Sequence, residues 1–318
     1  MRQILAALGL LLLCSSTFAQ PGPAYPARAV RVVVPFAPGG PTDTIARLLG
    51  QRLSERLGQQ FVVENRTGAG GNVGVAAVAK SAPDGYTVLV TSTSLAVNAT
   101  LSANPGYEMR ELAPVVNVAW SPNMIVTSPA GPHSLLALIA ASRGKGLTYG
   151  SPGSGTTPHL TAEYLFKNLA GLEVMHVPYK GAAPAVAAGL SGEVPVVAVA
   201  LAAALPNLKA GRLRGLAVTS EERVAAIPDV PTVQESGFPG FQDYTWVGVF
   251  VPAGTPQIII ARLNGEANAF LGRPDTRERL EGLGFEPVGG NVARFAAYLQ
   301  AEVAKWGRVV RETGAKAE

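Results

Sequence analysis

Val30-Arg31-Val32-Val33-Val34-Pro35-Phe36-Ala37-Pro38-Gly39-Gly40-Pro41-Thr42-Asp43-Thr44-Ile45-Ala46 decides how this chain folds. An apolar β-branched run ends in a proline-glycine elbow. Beyond it Ile45, Leu48, Leu49, Leu53 and Leu57 fall on one helical face. The order is strand, loop, helix, and Gly58 stands where a left-handed C-cap belongs. A helix N-terminus leaves its first N–H groups unpaired and partly positive, so glycines delivered there let an anion approach bare backbone.

Working outward, the same unit recurs. Phe61 to Glu64 reads as the next strand, Gly68-Ala69-Gly70-Gly71-Asn72-Val73-Gly74 leads into an Ala-rich helix, and Pro83-Asp84-Gly85 turns into the strand Tyr86 to Val90. The middle of the chain predicts strand Met124 to Val126, helix Leu135 to Ser142 and strand Leu147 to Tyr149. A second elbow, Ser151 to Pro158, opens a helix near His159 that Gly171 ends. Strand Val174 to Val177 and a third elbow, Pro178-Tyr179-Lys180-Gly181, come next, with Pro184 in a first helical turn. Strands Leu216 to Val218 and Trp246 to Val251 precede closing helices at Pro256 to Leu271, Asp275 to Leu283 and Val292 to Thr313. The alternation predicts a parallel α/β fold. The last helix carries Phe295, Tyr298, Leu299, Val303, Trp306 and Val310 on one face; packed back on the first domain, it makes that domain discontinuous.

Composition bounds the function. The 318 residues suggest two domains, and 15% charged residues is well below the ~25% of average chains. With 26 basic and 22 acidic residues and no basic run, the net charge of +4 does not argue for nucleic acid. Arg2, the apolar Ile4 to Leu13 and Thr17-Phe18-Ala19 read as a secretory signal peptide over residues 1–19, too short for the ~20 residues of a membrane span. The single cysteine, Cys14, lies inside it after Leu13, where a lipid-anchored leader wants a small residue. A cysteine-free mature chain of this size points to a bacterial periplasm.

The inventory for catalysis is thin. Gly68 to Gly74 misses the dinucleotide spacing because Val73 replaces the last glycine, and no phosphate-loop ending occurs. His133, His159 and His176 are the only histidines; there is no Gly-x-Ser-x-Gly elbow, Ser142-Arg143-Gly144-Lys145 lacks its companion motifs, and no metal-ligand spacing is present. No cofactor or metal is expected, nor an enzyme. What remains is helix starts decorated with hydroxyls: Thr42 and Thr44, Thr91 to Ser94, and Ser154 with Thr156 and Thr157. Such donors bind a carboxylate without burying a cation. Lys180 is the one cation near an elbow, with a solvated surface lysine as its other reading. Phe36, Tyr179 and Trp246 could wall a small ligand, Trp246 equally being core, and His159 either lines the site or braces its loop.

At these residues the chain resembles the Bug family, the extracytoplasmic solute receptors of tripartite tricarboxylate transport systems. The matching pieces include Val34 to Asp43, Glu64-Asn65-Arg66, Pro83 to Thr87, Gly153 to Leu160, Val177 to Gly181, Leu216 to Ser220, Pro228 to Thr232 and Pro252 to Pro256. The resemblance implies a type II periplasmic binding protein: two α/β domains, 25–123 with 247–318 and 124–246, closing on a ligand between them. It places Phe36, Gly39, Gly40, Thr42, Asp43, Thr93 and Ser94 on one wall, and Ser154, Thr156, Thr157, His159, Lys180 and Gly181 on the other. It further implies a monomer that captures a small carboxylate in the periplasm and hands it to membrane permease subunits. A signalling partner of a sensor kinase is the alternative, a hydrolase or lyase the third reading. One stretch departs from the family: Glu193-Val194-Pro195 stands where relatives carry an Asp, followed by an apolar run from Val196 to Leu205. If that run reaches the cleft it favours an aromatic or weakly polar carboxylate over citrate, and an ammonium would lack a counter-charge.

Overall fold

A computed structural model describes residues 25–316. The signal peptide expected over residues 1–19, and Cys14 with it, lies outside the described residues. Strand β1 (Val30–Val34) feeds helix α1 (Pro41–Leu57), and β2 (Phe61–Asn65), α2 (Asn72–Ala79), β3 (Thr87–Ser92) and α3 (Ser94–Leu101) follow. Then come β4 (Leu112–Thr127), α4 (Leu135–Ser142), β5 (Leu147–Ser151), α5 (Thr157–Ala162), β6 (Val174–Pro178), α6 (Ala182–Ser191), β7 (Val196–Ala200), α7 (Leu201–Lys209) and β8 (Arg214–Val218). β9 (Tyr244–Pro252), α8 (Gln257–Leu271), α9 (Pro274–Gly282), β10 (Glu286–Pro287) and α10 (Val292–Thr313) close the chain.

Two sheets result, and they share one strand. The first runs β2-β1-β3-β9-β4 with β10 also on β4; the second runs β6-β5-β7-β4-β8. The parallel pattern expected from the sequence holds for β2-β1-β3 and β6-β5-β7, where each strand is followed by a helix. β9 and β4 run antiparallel to their neighbours. β4 is longer than the three-residue strand expected. Its first part pairs with β9 as far as Pro122 opposite Tyr244, and from Asn123 onward it pairs with β7. The chain therefore crosses between lobes within β4 and returns just before β9.

Alternation along β1 sets up a core on each face of the first sheet. Val30, Val32 and Val34 pack with Ile45, Leu49 and Leu53 of α1, while Val33 joins Leu89, Leu95 and Phe295 on the other face. α10 packs on the other face of this sheet, burying Phe295, Leu299, Trp306 and Val310. Gly58, at φ 69°, caps α1 by donating its N–H to Ser54 O. The apolar run left unassigned by the sequence is β7 and the start of α7. Fully buried β7 supplies Val197 and Val199 to one core of the second lobe and Val196 and Ala198 to the other.

Candidate functional site

The three elbows meet between the lobes. Ala37 N–H donates across to Lys180 O at 2.9 Å. A Cβ built on Gly39 or Gly40 would lie 3.7 Å from the Ala183 or Ala182 methyl. Gly70 lies against Ser154, and Gly155 against Asn98. The cleft is closed: a methyl at Gly39 or Gly40 would only touch the facing methyl, whereas one at Gly70 or Gly181 would run into backbone across the seam and hold the lips apart.

Inside the seam lies a cavity of about 30 Å³. From the first lobe come Phe36, Gly40, Pro41, Thr42 and Ser92, and Thr245 lines it at the start of β9; from the second come Pro152, Thr156, Thr157, Pro158, Ala182 and Ala200. Among the described residues, no ionisable side chain lines it. Pro41 occupies the first position of α1, so the N–H groups of the following first-turn residues face the elbow without an intrahelical carbonyl. Phe36 and Pro152 also border an outer chamber of about 330 Å³, walled by Gly68 to Asn72, Asn98, Ser102, Gly153, Ser154 and Pro178 to Lys180. Lys180 is exposed and, among the described residues, is the only cation lining either chamber.

Several expected site residues turn out to build the elbows and do not face the cavities. Asp43 is 3% exposed; its Oδ2 accepts from Gly39 N–H and Arg47 Nε, each at 2.9 Å, and its Oδ1 from Asn65 Nδ2. Burial works to raise this carboxyl, but the bonds from Arg47, Gly39 and Asn65 outweigh it and hold Asp43 below the usual carboxylate range. Thr93 is sealed, with its Oγ1 accepting from Trp246 N–H, and Ser94 meets Ser92 through its hydroxyl. Ser92 is the member of that stretch that reaches the inner cavity. Gly39 and Gly181 are seam glycines.

Trp246 is corrected from ligand wall to core. It is 0% exposed, packs edge-on against Phe295, and donates its indole N–H to Glu302 at 3.0 Å. The alternation of β9 turns its side chain to the α10 face and gives the cavity Thr245. His159 proves to be a brace: its Nδ1 accepts from Gly155 N–H, and its ring stacks on His176 with centroids 4.1 Å apart. His176 bonds Ser151 Oγ through Nε2 at 2.7 Å. Burial pushes His159 down to about 3, helped by His176, and His176 to about 4, so both are neutral. Ser151 and His176 are spaced as a nucleophile and base, yet Ser151 is 0% exposed and is enclosed within its own loop by Gly153 N–H and O.

Sequence reasoning missed Pro152, Pro158, Ala182, Ala200 and Thr245. Ala200 alone carried a signal, as the apolar run that reaches the cleft there. Among the described residues no group of three His, Cys, Asp or Glu could hold a metal ion, and no helix is long and apolar enough to cross a membrane.

Comparisons with known proteins bear on the family and the fold. Residues 45–315 match the family described as the tripartite tricarboxylate transporter family receptor. The periplasmic binding protein BugD is 32% identical, with a TM-score of 0.87 over 92% of this chain and 100% of its own. An R. palustris protein solved with adipate is 38% identical, with a TM-score of 0.88 over 92% and 99%. MatC from Rhodopseudomonas palustris, solved with malate, is 33% identical, with a TM-score of 0.85 over 90% and 100%.

Proposed function

The chain belongs to the family of tripartite tricarboxylate transporter receptors, the Bug proteins, and from that membership we propose that it captures a small carboxylate in the periplasm between lobes 25–123 plus 247–318 and 124–246. The observation that carries this is the inner cavity itself. It is lined by hydroxyls and the start of the 17-residue α1, with no acidic side chain to repel an anion and no lysine or arginine to trap one. At about 30 Å³ it takes a head group only. The body of the ligand then passes Phe36 and Pro152 into the outer chamber, where Asn98, Tyr179 and Lys180 meet it.

Ala200 and Ala182 in the inner wall offer nothing to an ammonium group, so the ligand is a carboxylate without an adjacent amine, and its body meets the mixed lining of the outer chamber, Phe36 and Tyr179 beside Asn98, Ser154 and Lys180. Relatives solved with adipate and malate support the ligand class. Hinge closure would present the carboxylate to membrane permease subunits, the receptor acting as a monomer without catalysis.

Thermal shift against mono-, di- and aromatic carboxylates tests the reading, since a ligand at a hundredfold excess over its Kd adds ~2.7 kcal/mol. A carboxylate is expected to raise the melting point, and glycine or another zwitterion of similar size is not. A response confined to uncharged sugars or peptides would overturn it. Loss of uptake in a strain lacking the protein separates transport from signalling.

A further inference from the structure

Beneath the floor of the cleft one buried carboxylate ties the two crossings together. Asp243 sits just before β9, and its Oδ2 accepts from Asn123 Nδ2 at 2.6 Å and from the Thr161 hydroxyl. Asn123 belongs to β4, the other crossing, and Thr161 to α5 of the second lobe. Asn123 Oδ1 in turn accepts from Thr245 Oγ1 at 2.7 Å, and Thr245 meets the Thr157 hydroxyl at 2.5 Å. Thr245 and Thr157 both line the inner cavity. A continuous polar chain thus runs from the ligand chamber to the hinge.

Asp243 is 5% exposed, and its Oδ1 is buried with no hydrogen-bond partner. The charged groups that face it lie on α10: Lys305, which attracts a proton-free carboxylate, and Glu302, which opposes it and already accepts from the indoles of Trp246 and Trp306. Tyr298 on α10 and Tyr244 on β9 are the other titratable neighbours. From β4 and α5 the facing groups are the neutral Asn123 and Thr161. Burial outweighs Lys305 and the two hydrogen bonds and pushes the carboxyl up to about 6. With the lobes together this carboxylate is enclosed by the two crossings, α5 of one lobe and α10 of the other, and it borders a cavity of about 130 Å³ shared with Lys305.

We propose that cleft closure is proton-linked through Asp243: closing the lobes dries its carboxyl and draws a proton onto it, so mild acid favours the closed form. The inference rests on the capture reading for its meaning. The sign follows from linkage. The closed form holds the proton more tightly than an open form in which water restores the ordinary carboxylate range, so closed over open rises as pH falls. Taking about 6 for the closed form and ~3.9 for the open one, the ratio rises about tenfold between pH 7 and pH 5. Below pH 4 it levels off.

The test needs no ligand. Cys14 in the leader is the chain's only cysteine, so Val73→Cys on α2 and Leu136→Cys on α4, both exposed, accept a fluorophore pair that reads the distance between lobes. The closed fraction of the wild type is expected to grow between pH 7 and pH 5. In Asp243→Asn, a fixed mimic of the protonated acid, it is expected to be high and flat. Thr161→Val, which removes one donor to the carboxylate without changing shape, moves the midpoint to higher pH, and it serves if Asp243→Asn does not fold. A wild type that does not respond between pH 7 and pH 5, an Asp243→Asn response like the wild type's, or an unmoved midpoint in Thr161→Val would overturn the proposal. A thermal-shift panel in which no carboxylate binds would instead count against the capture reading alone.

Discussion

Thr157 stands at two boundaries at once, with its hydroxyl in the ligand cavity and against Thr245. Its one hydrogen goes to Thr245, whose own goes to Asn123, so Thr157→Val keeps the shape but leaves the Thr245 hydroxyl at the cavity wall without its donor, and carboxylate affinity should fall by about 1 kcal/mol, five- to tenfold, measured by calorimetry at pH 7. Trp246 should behave in the opposite way. Trp246→Phe leaves Glu302, 7% exposed, with one indole donor in place of two, and should cost about 1–3 kcal/mol in denaturant unfolding with ligand affinity unchanged within twofold. The contrast marks how far single residues could be read from sequence. Thr42, Thr156 and Thr157 were legible because a hydroxyl at a helix start has a backbone reason to be there. Trp246 and Thr245 were not, since one step in β9 register decides which side chain faces the cleft. Asp43 had the right residue type for a site, yet Gly39 N–H in the elbow, Arg47 one turn along α1 and Asn65 on β2 claim it.

At the scale of elements, the elbow between β5 and α5 is held from behind by a stack of Tyr149, His176 and His159. Both imidazoles are neutral in the fold, with values depressed below those of an unfolded chain. A depressed histidine binds its proton more weakly folded than unfolded, so the stability it lends is complete above about pH 6.5 and is withdrawn as pH falls toward 4. Asp243, raised, contributes in the opposite sense across part of that window, so the histidines are isolated by substitution. His176→Gln keeps a neutral partner for Ser151, and its loss of stability between pH 6.5 and pH 4 should be smaller than the wild type's by at least about 1 kcal/mol in urea titrations. The strand-elbow-helix units were plain in the sequence because each carries its own hydrophobic period and glycine stop. β4 was not: Pro114 and Pro122 interrupt it, and its register shifts beside Pro114 and again beyond Asn117. Its length comes from pairing with β9, β7 and β8, all far away in sequence.

For the molecule as a whole, the three elbows act only if the lobes can come together, and closure depends on the absence of side chains at the lips. A Cβ built on Gly70 would lie 2.0 Å from Ser154 O across the cleft, a clash with backbone that no rotamer relieves. Gly70 also has φ 61°, so Gly70→Ala carries a local penalty of ~1 kcal/mol in either state. The penalty and the clash are separable, because the first acts on the open protein and the second only on the closed one. Unligated Gly70→Ala should therefore melt only a few degrees below the wild type. Its affinity for whichever carboxylate the panel identifies should fall a hundredfold or more, since binding energy would have to displace a backbone carbonyl before the lobes meet. Small-angle scattering supplies the decisive readout. The ligand should contract the wild type and leave the variant at its open radius of gyration, whereas equal contraction in both would show that the glycine lip is not what permits closure.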